Sequence, residues 1–247
     1  MRLAEGVEVL ELPMRSFRGQ SIIYPTLTWD DDTVVLVDAG FPGQLQQIRD
    51  GMARAGVWFD RLNKVIITHQ DIDHIGSLPD IIRESSHDVD VLSHAEERPY
   101  IEGRKPLIKM NRERISKMVG SLPEEQRQQM EALFANPPKA NVTAAVADGE
   151  VLAYCGGITV IFTPGHTPGH ICLYLNQSKI LVSGDALVSA DGELQGPNPQ
   201  SAYDIDTALK SLKKLTQYDI ETVICYHGGV YRDSANKRLA ELASAAH

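Results

Sequence analysis

Apolar residues along this chain come in short runs bounded by glycine, proline and aspartate, and the runs change period in a regular order. Residues 7–12 alternate weakly and residues 20–28 form a second extended stretch, so both are read as strands. An Asp30-Asp31-Asp32 turn leads into Thr33-Val-Val-Leu-Val-Asp38, a strong strand that ends at Ala39-Gly40. Residues 44–55 carry Leu45, Ile48 and Met52 on one helical face. Asn63-Lys-Val-Ile-Ile-Thr68 reads as a buried strand, residues 77–84 as a helix and residues 87–93 as a short strand.

Residues 96–135 change character. They are charged, rich in Arg, Glu, Gln and Met, and divided by Pro106, Gly120 and Pro123. They read as a helical insertion, with Ser121-Leu-Pro-Glu124 as a helix start. Such an insertion serves as a lid or dimer surface, or is a solvated excursion. Extended patterns then return at residues 142–146, 150–154 and 157–162. Residues 171–175 and 179–183 form a hairpin across Asn176-Gln-Ser. A loop over 190–203, an amphipathic helix over 205–215, a strand over 222–226 and a helix over 232–246 complete the chain.

Both halves thus follow the same grammar of strands followed by strand–helix units. Helices outside two inner sheets give an α/β, four-layer αββα sandwich, read as a single domain over 1–247 with the 96–135 segment inserted. The chain has 247 residues, 43% hydrophobic and 23% charged, the composition of an ordinary globular protein. A net charge of −9 argues against nucleic acid or anionic membrane as partners. Three widely spaced cysteines (Cys155, Cys172, Cys225) and an N-terminus without a long apolar run point to a cytoplasmic protein.

The chemistry is concentrated where the strand over 63–68 ends, at His69-Gln-Asp71-Ile-Asp73-His74. Four metal-binding side chains in six residues are rarely a by-product of folding. Alternation in an extended segment places residues 69, 71 and 73 on one side, and a turn after Asp73 returns His74 to the same pocket. His69 and Asp71 then suit one metal, and Asp73 and His74 a second. Two coordination shells need further ligands. His166 lies in the loop Thr163-Pro-Gly-His166-Thr-Pro-Gly-His170, Asp185 follows Gly184 at a strand end, and His227 precedes two glycines at another. With two oxygens, Asp185 can bridge both ions. His87, His94 and His247 lack any partner pattern and read as surface groups.

These four separated motifs, together with the Val37-Asp38-Ala39-Gly40 strand end, resemble the metallo-β-lactamase superfamily over roughly residues 20–230. The resemblance implies one site of His69, Asp71 and His166, a second of Asp73, His74 and His227, and Asp185 between them. It also implies that Asp38 orients the loop by hydrogen bonds and is not a ligand. His170, four residues after His166, reads as a loop-fixing group rather than a ligand. The expected cofactors are two divalent metal ions, zinc first. Asp71 stands where most members have histidine, and its harder oxygen donor favours manganese or iron.

The implied activity is hydrolysis. A metal-bridging hydroxide attacks an ester, lactone, thioester or phosphoester of a small-molecule substrate, with Asp73 as proton carrier. Val188 occupies the place where lactonase relatives carry a tyrosine, leaving Tyr203 or Tyr226 to substitute. The alternatives are an iron-dependent oxidoreductase of the same fold, which Asp71 favours, or a metal-binding regulatory protein that uses segment 96–135 as a homodimer or partner surface.

Overall fold

The computed structural model of the chain describes residues 1–16, 19–110, 120 and 123–245. Expectations for 111–119 and 121–122 within the helical insertion, and for His247, lie outside the described residues.

Seventeen strands are found among the described residues. One sheet has seven: β1 (Arg2–Ala4), β2 (Val7–Val9), β5 (Thr26–Trp29), β6 (Val34–Val37), β7 (Lys64–Ile67), β8 (Asp90–His94) and β9 (Ala144–Val146), in the order β1-β2-β5-β6-β7-β8-β9. The second has six: β10 (Val151–Leu152), β11 (Ile158–Phe162), β12 (Ile171–Leu175), β13 (Ile180–Val182), β16 (Thr222–Cys225) and β17 (Gly229–Tyr231), in that spatial order. Two separate hairpins pair β3 (Leu12–Ser16) with β4 (Gly19–Ile23), and β14 (Val188–Ala190) with β15 (Glu193–Gln195).

Side-chain alternation builds three core layers from these strands. Val35, Val37 and Ile66 of the first sheet meet Val160, Leu173, Val182 and Ile224 of the second, forming the layer between sheets. Their neighbours Val34, Leu36, Val65 and Ile67 point the other way, onto Ile48 and Met52 of the helix Leu45–Arg54 and Leu78 and Ile81 of the helix Leu78–Glu84. Ile161, Cys172, Leu181 and Val223 likewise leave the second sheet for Leu212 and Leu215 of the helix Ile205–Leu215 and Leu239 of the helix Ala235–Ser244. Strands buried on both faces read as continuous apolar runs, which is why Val34–Val37 stands out in the sequence. The expected αββα sandwich is the fold found.

Several elements differ from expectation. The stretch 20–28 breaks at Tyr24-Pro25, because proline has no N–H for a ladder and restrains the residue before it. The 190–203 loop begins as the second strand of a hairpin, with Asp191 and Gly192 both at positive φ in its turn. Strand β17 was not anticipated behind Gly228 and Gly229, whose lack of side chains hides it from a pattern reading. Within 96–135 the described helices are Arg98–Ile101 and Glu124–Ala135, and the latter buries none of its residues. No helix among the described residues is long and apolar enough to cross a membrane.

Candidate metal centre

Strands β6, β7 and β8 run parallel, as do β13 and β16. Parallel neighbours end on one edge of their sheet, where α/β folds commonly place ligands. Asp38 follows β6, the 69–74 cluster follows β7, Asp185 follows β13 and His227 follows β16. His166 comes from the loop between β11 and β12. The sheets are joined at this edge by hydrogen bonds from Ile171 N–H to Thr68 O (3.1 Å) and from Tyr24 N–H to Tyr226 O (3.1 Å).

The local geometry of the cluster departs from simple alternation. Asp71 takes the cap position before a helical turn, Ile72–Ile75, with φ −62° and ψ 147°. His74 N–H and Ile75 N–H donate to Asp71 O at 2.9 and 3.1 Å. Asp73 therefore sits in a helix rather than an extended run. The turn starts two residues earlier than expected because its first backbone bonds close on Asp71.

The His166 loop is set by the helix Ile205–Leu215. Asp204 caps that helix, its carboxylate accepting from Thr207 N–H at 3.0 Å. Asp204 N–H and Tyr203 N–H donate to Gly165 O (2.8 Å) and His166 O (3.1 Å), and Ser211 Oγ donates to Pro164 O (2.7 Å). Gly165 has φ +129°, and a Cβ there would lie 2.1 Å from Ala208 N, so this close helix approach requires glycine.

All seven expected ligand residues converge in two groups. His69, Asp71, His166 and Asp185 form one, and Asp73, His74 and His227 the other, with ligand atoms within 4.8 Å of one another in each. In the first, His166 Nε2 lies 3.1 Å from Asp71 Oδ2 and 3.2 Å from Asp185 Oδ2, and His69 Nε2 lies 3.3 Å from Asp71 Oδ2. In the second, His227 Nε2 lies 3.2 Å from Asp73 Oδ2. Asp185 Oδ1 faces this group, 3.3 Å from His74 Nε2 and 3.5 Å from His227 Nε2. Ligand atoms ~2.0–2.1 Å from a tetrahedral ion are about 3.3 Å apart, so the spacing fits coordination. His69 Nε2, His74 Nε2 and Asp185 Oδ1 are buried and make no hydrogen bond among the described residues. Buried polar atoms are normally satisfied; one of these lies in the first group and two at the second, and donors of this kind suit cation binding in each.

A sequence profile described as the Metallo-beta-lactamase superfamily matches residues 18–227. The chain belongs to this superfamily. The probable metallo-hydrolase YflN of Bacillus subtilis (strain 168) is 30% identical over 238 residues, spanning 91% of this chain and 84% of its own. A shorter similarity, 39% over 89 residues, links 35% of this chain with 32% of the hydroxyacylglutathione hydrolase of Yersinia pestis (strain Pestoides F). A metallo-beta-lactamase family protein from Thermus thermophilus shares the fold at 23% identity and TM-score 0.73, covering 99% of this chain and 80% of that one.

Around these seven side chains lies a buried layer of support. Asp38, in the left-handed region at φ 63°, accepts from Thr68 N–H (2.8 Å) and Thr68 Oγ1 (2.8 Å) and pairs with His74 Nδ1 (2.8 Å). Thr68 Oγ1 in turn meets His69 Nδ1 at 3.0 Å. Both imidazoles thereby present Nε2 to the centre, the orientation that such outer contacts impose on metal-binding histidines. Burial opposes the charged form of His74, but Asp38, Asp185 and Asp73 raise it well above its ordinary range. Burial likewise opposes charge on His227, while Asp185 and Asp73 raise it to about 9. Asp71 and Asp185 are held well below the carboxylate range despite burial, the first by His69 and Lys109, the second by His227, His166 and His74.

Three contributors escaped the sequence reading, and a fourth was named there for a different role. Lys109 Nζ lies 2.5 Å from both Asp71 Oδ2 and His166 Nε2. Glu97 is fully buried and accepts from Gln70 N–H (2.8 Å), Gln70 Nε2 (3.0 Å) and Gly169 N–H (2.7 Å), tying the loops of His69 and His166 together. Thr68 is the third. The fourth is Tyr226, buried with its ring stacked on His74 at 3.8 Å and its hydroxyl donating to Asp73 O at 2.5 Å. That engagement removes Tyr226 as a stand-in for the lactonase tyrosine. Only Tyr226, adjacent to a ligand, carried a sequence signal. His94 is half-buried and stacked on Phe162 at 4.3 Å rather than a free surface group, whereas His87 is exposed.

His170 turns both ring nitrogens to the scaffold: Nδ1 meets Thr163 Oγ1 at 2.9 Å and Nε2 accepts from Asp185 N–H at 3.1 Å. Burial, helped by His166, pushes it from 6.5 down to about 3. The unfolded chain takes up this proton as pH falls through 6.5, whereas the folded chain does not until about 3. The stability that neutral His170 contributes is therefore complete above pH 6.5 and lost as pH falls toward 3. Urea titrations of metal-free His170→Gln between pH 6.5 and 4 should show a slope smaller than wild type by about 1.4 kcal/mol per pH unit. An unchanged slope would mean His170 is already charged in the fold.

Proposed function

We propose that this member of the metallo-beta-lactamase superfamily is a dinuclear metal-dependent hydrolase of small ester-type substrates. The observation that carries the reading is Asp185, whose Oδ2 faces His166 while Oδ1 faces His74 and His227. One carboxylate serving two ligand groups is the arrangement of a shared two-ion centre. The residues that would hold the ions are His69, Asp71, His166 and Asp185 for site one, and Asp73, His74, His227 and Asp185 for site two. When bound, two divalent cations supply Lewis acidity and lower the pKa of water toward neutrality.

The chain's own residues do the rest. Asp38 and Thr68 hold His74 and His69 in the orientation that points Nε2 inward. Glu97 and the Thr163–His170 loop keep His166 opposite Asp71. Asp73 is partly exposed beside His227, which suits it to take the proton released on attack and pass it to the leaving group. The probable metallo-hydrolase naming of the Bacillus relative and the partial similarity to a hydroxyacylglutathione hydrolase support hydrolysis. Val188 lies on β14, and no tyrosine hydroxyl is seen donating into the centre among the described residues, so acyclic esters and thioesters are favoured over lactones.

The test is elemental analysis of protein purified without chelator, followed by a panel of ester, thioester, lactone and phosphodiester substrates. Two equivalents of zinc or manganese and chelator-sensitive hydrolysis are expected. Protein that neither contains nor takes up metal overturns the reading, and iron with oxygen consumption but no hydrolysis replaces it with the oxidoreductase alternative.

A further inference from the structure

Lys109 stands where a cation of site one would stand. Its ammonium touches Asp71 Oδ2 and His166 Nε2, two of the four ligand atoms of that site. Its side chain is only 14% exposed, and the turn that carries it is fastened on both sides. Leu107 is buried in the helix-side core, Met110 packs on the same core, and Met110 N–H donates to Leu107 O at 3.0 Å. Between them, Ile108 N–H donates to Gln70 Oε1 at 2.8 Å. Gln70 is itself clamped by the buried carboxylate of Glu97. A continuous line of contacts, from buried Glu97 through Gln70 to part-buried Ile108, thus sets the lysine over Asp71 rather than leaving it on a free loop.

The pairing also answers the unusual charge at position 71. A carboxylate there adds one negative charge, and a lysine ammonium, a compact cation with three donors, offsets it. Among the described residues, no lysine or arginine pairs with Asp73, His74 or His227, so the second site has no such competitor. A divalent ion can reach Asp71 and His166 only by displacing the ammonium and its charge-assisted bonds.

We infer that Lys109 is a resident cation of site one, which makes the two metal sites load unequally, site two first. This rests on the two-ion reading above. Equilibrium dialysis of the purified apoprotein against buffered zinc, read by elemental analysis, tests it on wild type, Lys109→Met and Lys109→Arg. Wild type should bind a first equivalent tightly and a second more weakly. Lys109→Met should bind the second at least about tenfold more tightly, as expected when a charge-assisted hydrogen bond no longer has to be broken, with the first unchanged. Lys109→Arg, which keeps the charge, should load like wild type. Should Lys109→Met be unstable, Lys109→Gln serves the same comparison. Two equally tight sites in wild type, or a second site that the uncharged variants do not strengthen, overturns the role of Lys109 alone. Absence of zinc binding by wild type and variants alike overturns the metal-centre reading beneath it.

Discussion

If the proposed two-ion centre forms, Asp185→Asn should lose both metal ions, not one. Among the described residues, Asp185 is the one whose two carboxylate oxygens face different ligand groups, and it is buried against His74, His166 and His227. An amide keeps the shape but removes the negative charge and one acceptor oxygen. Outer-layer changes around metal sites cost about 10–100-fold in affinity, and loss of a shared ligand should exceed that at both sites. Hydrolysis should fall by at least on the order of 10²–10³-fold, the scale for removing one key electrostatic group. Metal content per chain and kcat/KM on the same preparation check this. Retention of two equivalents would show that Asp185 does not join the sites. The same change should let His227 fall from about 9 in the metal-free protein, since Asp185 is the chief group holding it up.

Asp38→Ala should be the most destabilising change around the centre. Asp38 is 1% exposed and serves Thr68 N–H, Thr68 Oγ1 and His74 Nδ1 at once. Alanine strands all three in a dry environment, and breaking a buried charge pair from one side costs about 3–5 kcal/mol. Alanine also tolerates the left-handed backbone at this position less well than aspartate or asparagine. Denaturant unfolding of the metal-free protein measures the loss, and Asp38→Asn, which keeps one acceptor and the backbone preference, should lie between. Metal affinity should drop as well, by about 10–100-fold, because His74 is released. An Asp38→Ala protein within about 1 kcal/mol of wild type would mean the three donors find other partners, and the residue would lose its place in the account.

Much of this architecture could be read from the chain because its signals are local. Val34–Val37 and Val65–Ile67 are apolar on successive residues because helices cover one face of their sheet and the second sheet the other. The ligand cluster was legible because His69, Asp71, Asp73 and His74 are crowded into six residues, and because His166, Asp185 and His227 each sit beside glycines. What failed to show was either featureless or relational. The β14–β15 hairpin and β17 are short and glycine-flanked, so no period develops. Glu97 and Lys109 lie in a charged stretch where one more acidic or basic residue carries no signal.

The sequence by itself determined the order of the long strands and helices, the layers they bury and the residue types available to hold metal. It did so because period, turn chemistry and side-chain identity act over a few neighbouring residues. The tertiary structure alone decided which oxygen of Asp185 faces which ligand group, that helix Ile205–Leu215 pins the His166 loop, that Tyr226 points inward and that Lys109 reaches Asp71. Those relations join positions up to 153 residues apart. Their distances follow from which strands neighbour one another and which sheet edges meet, and no local pattern encodes that.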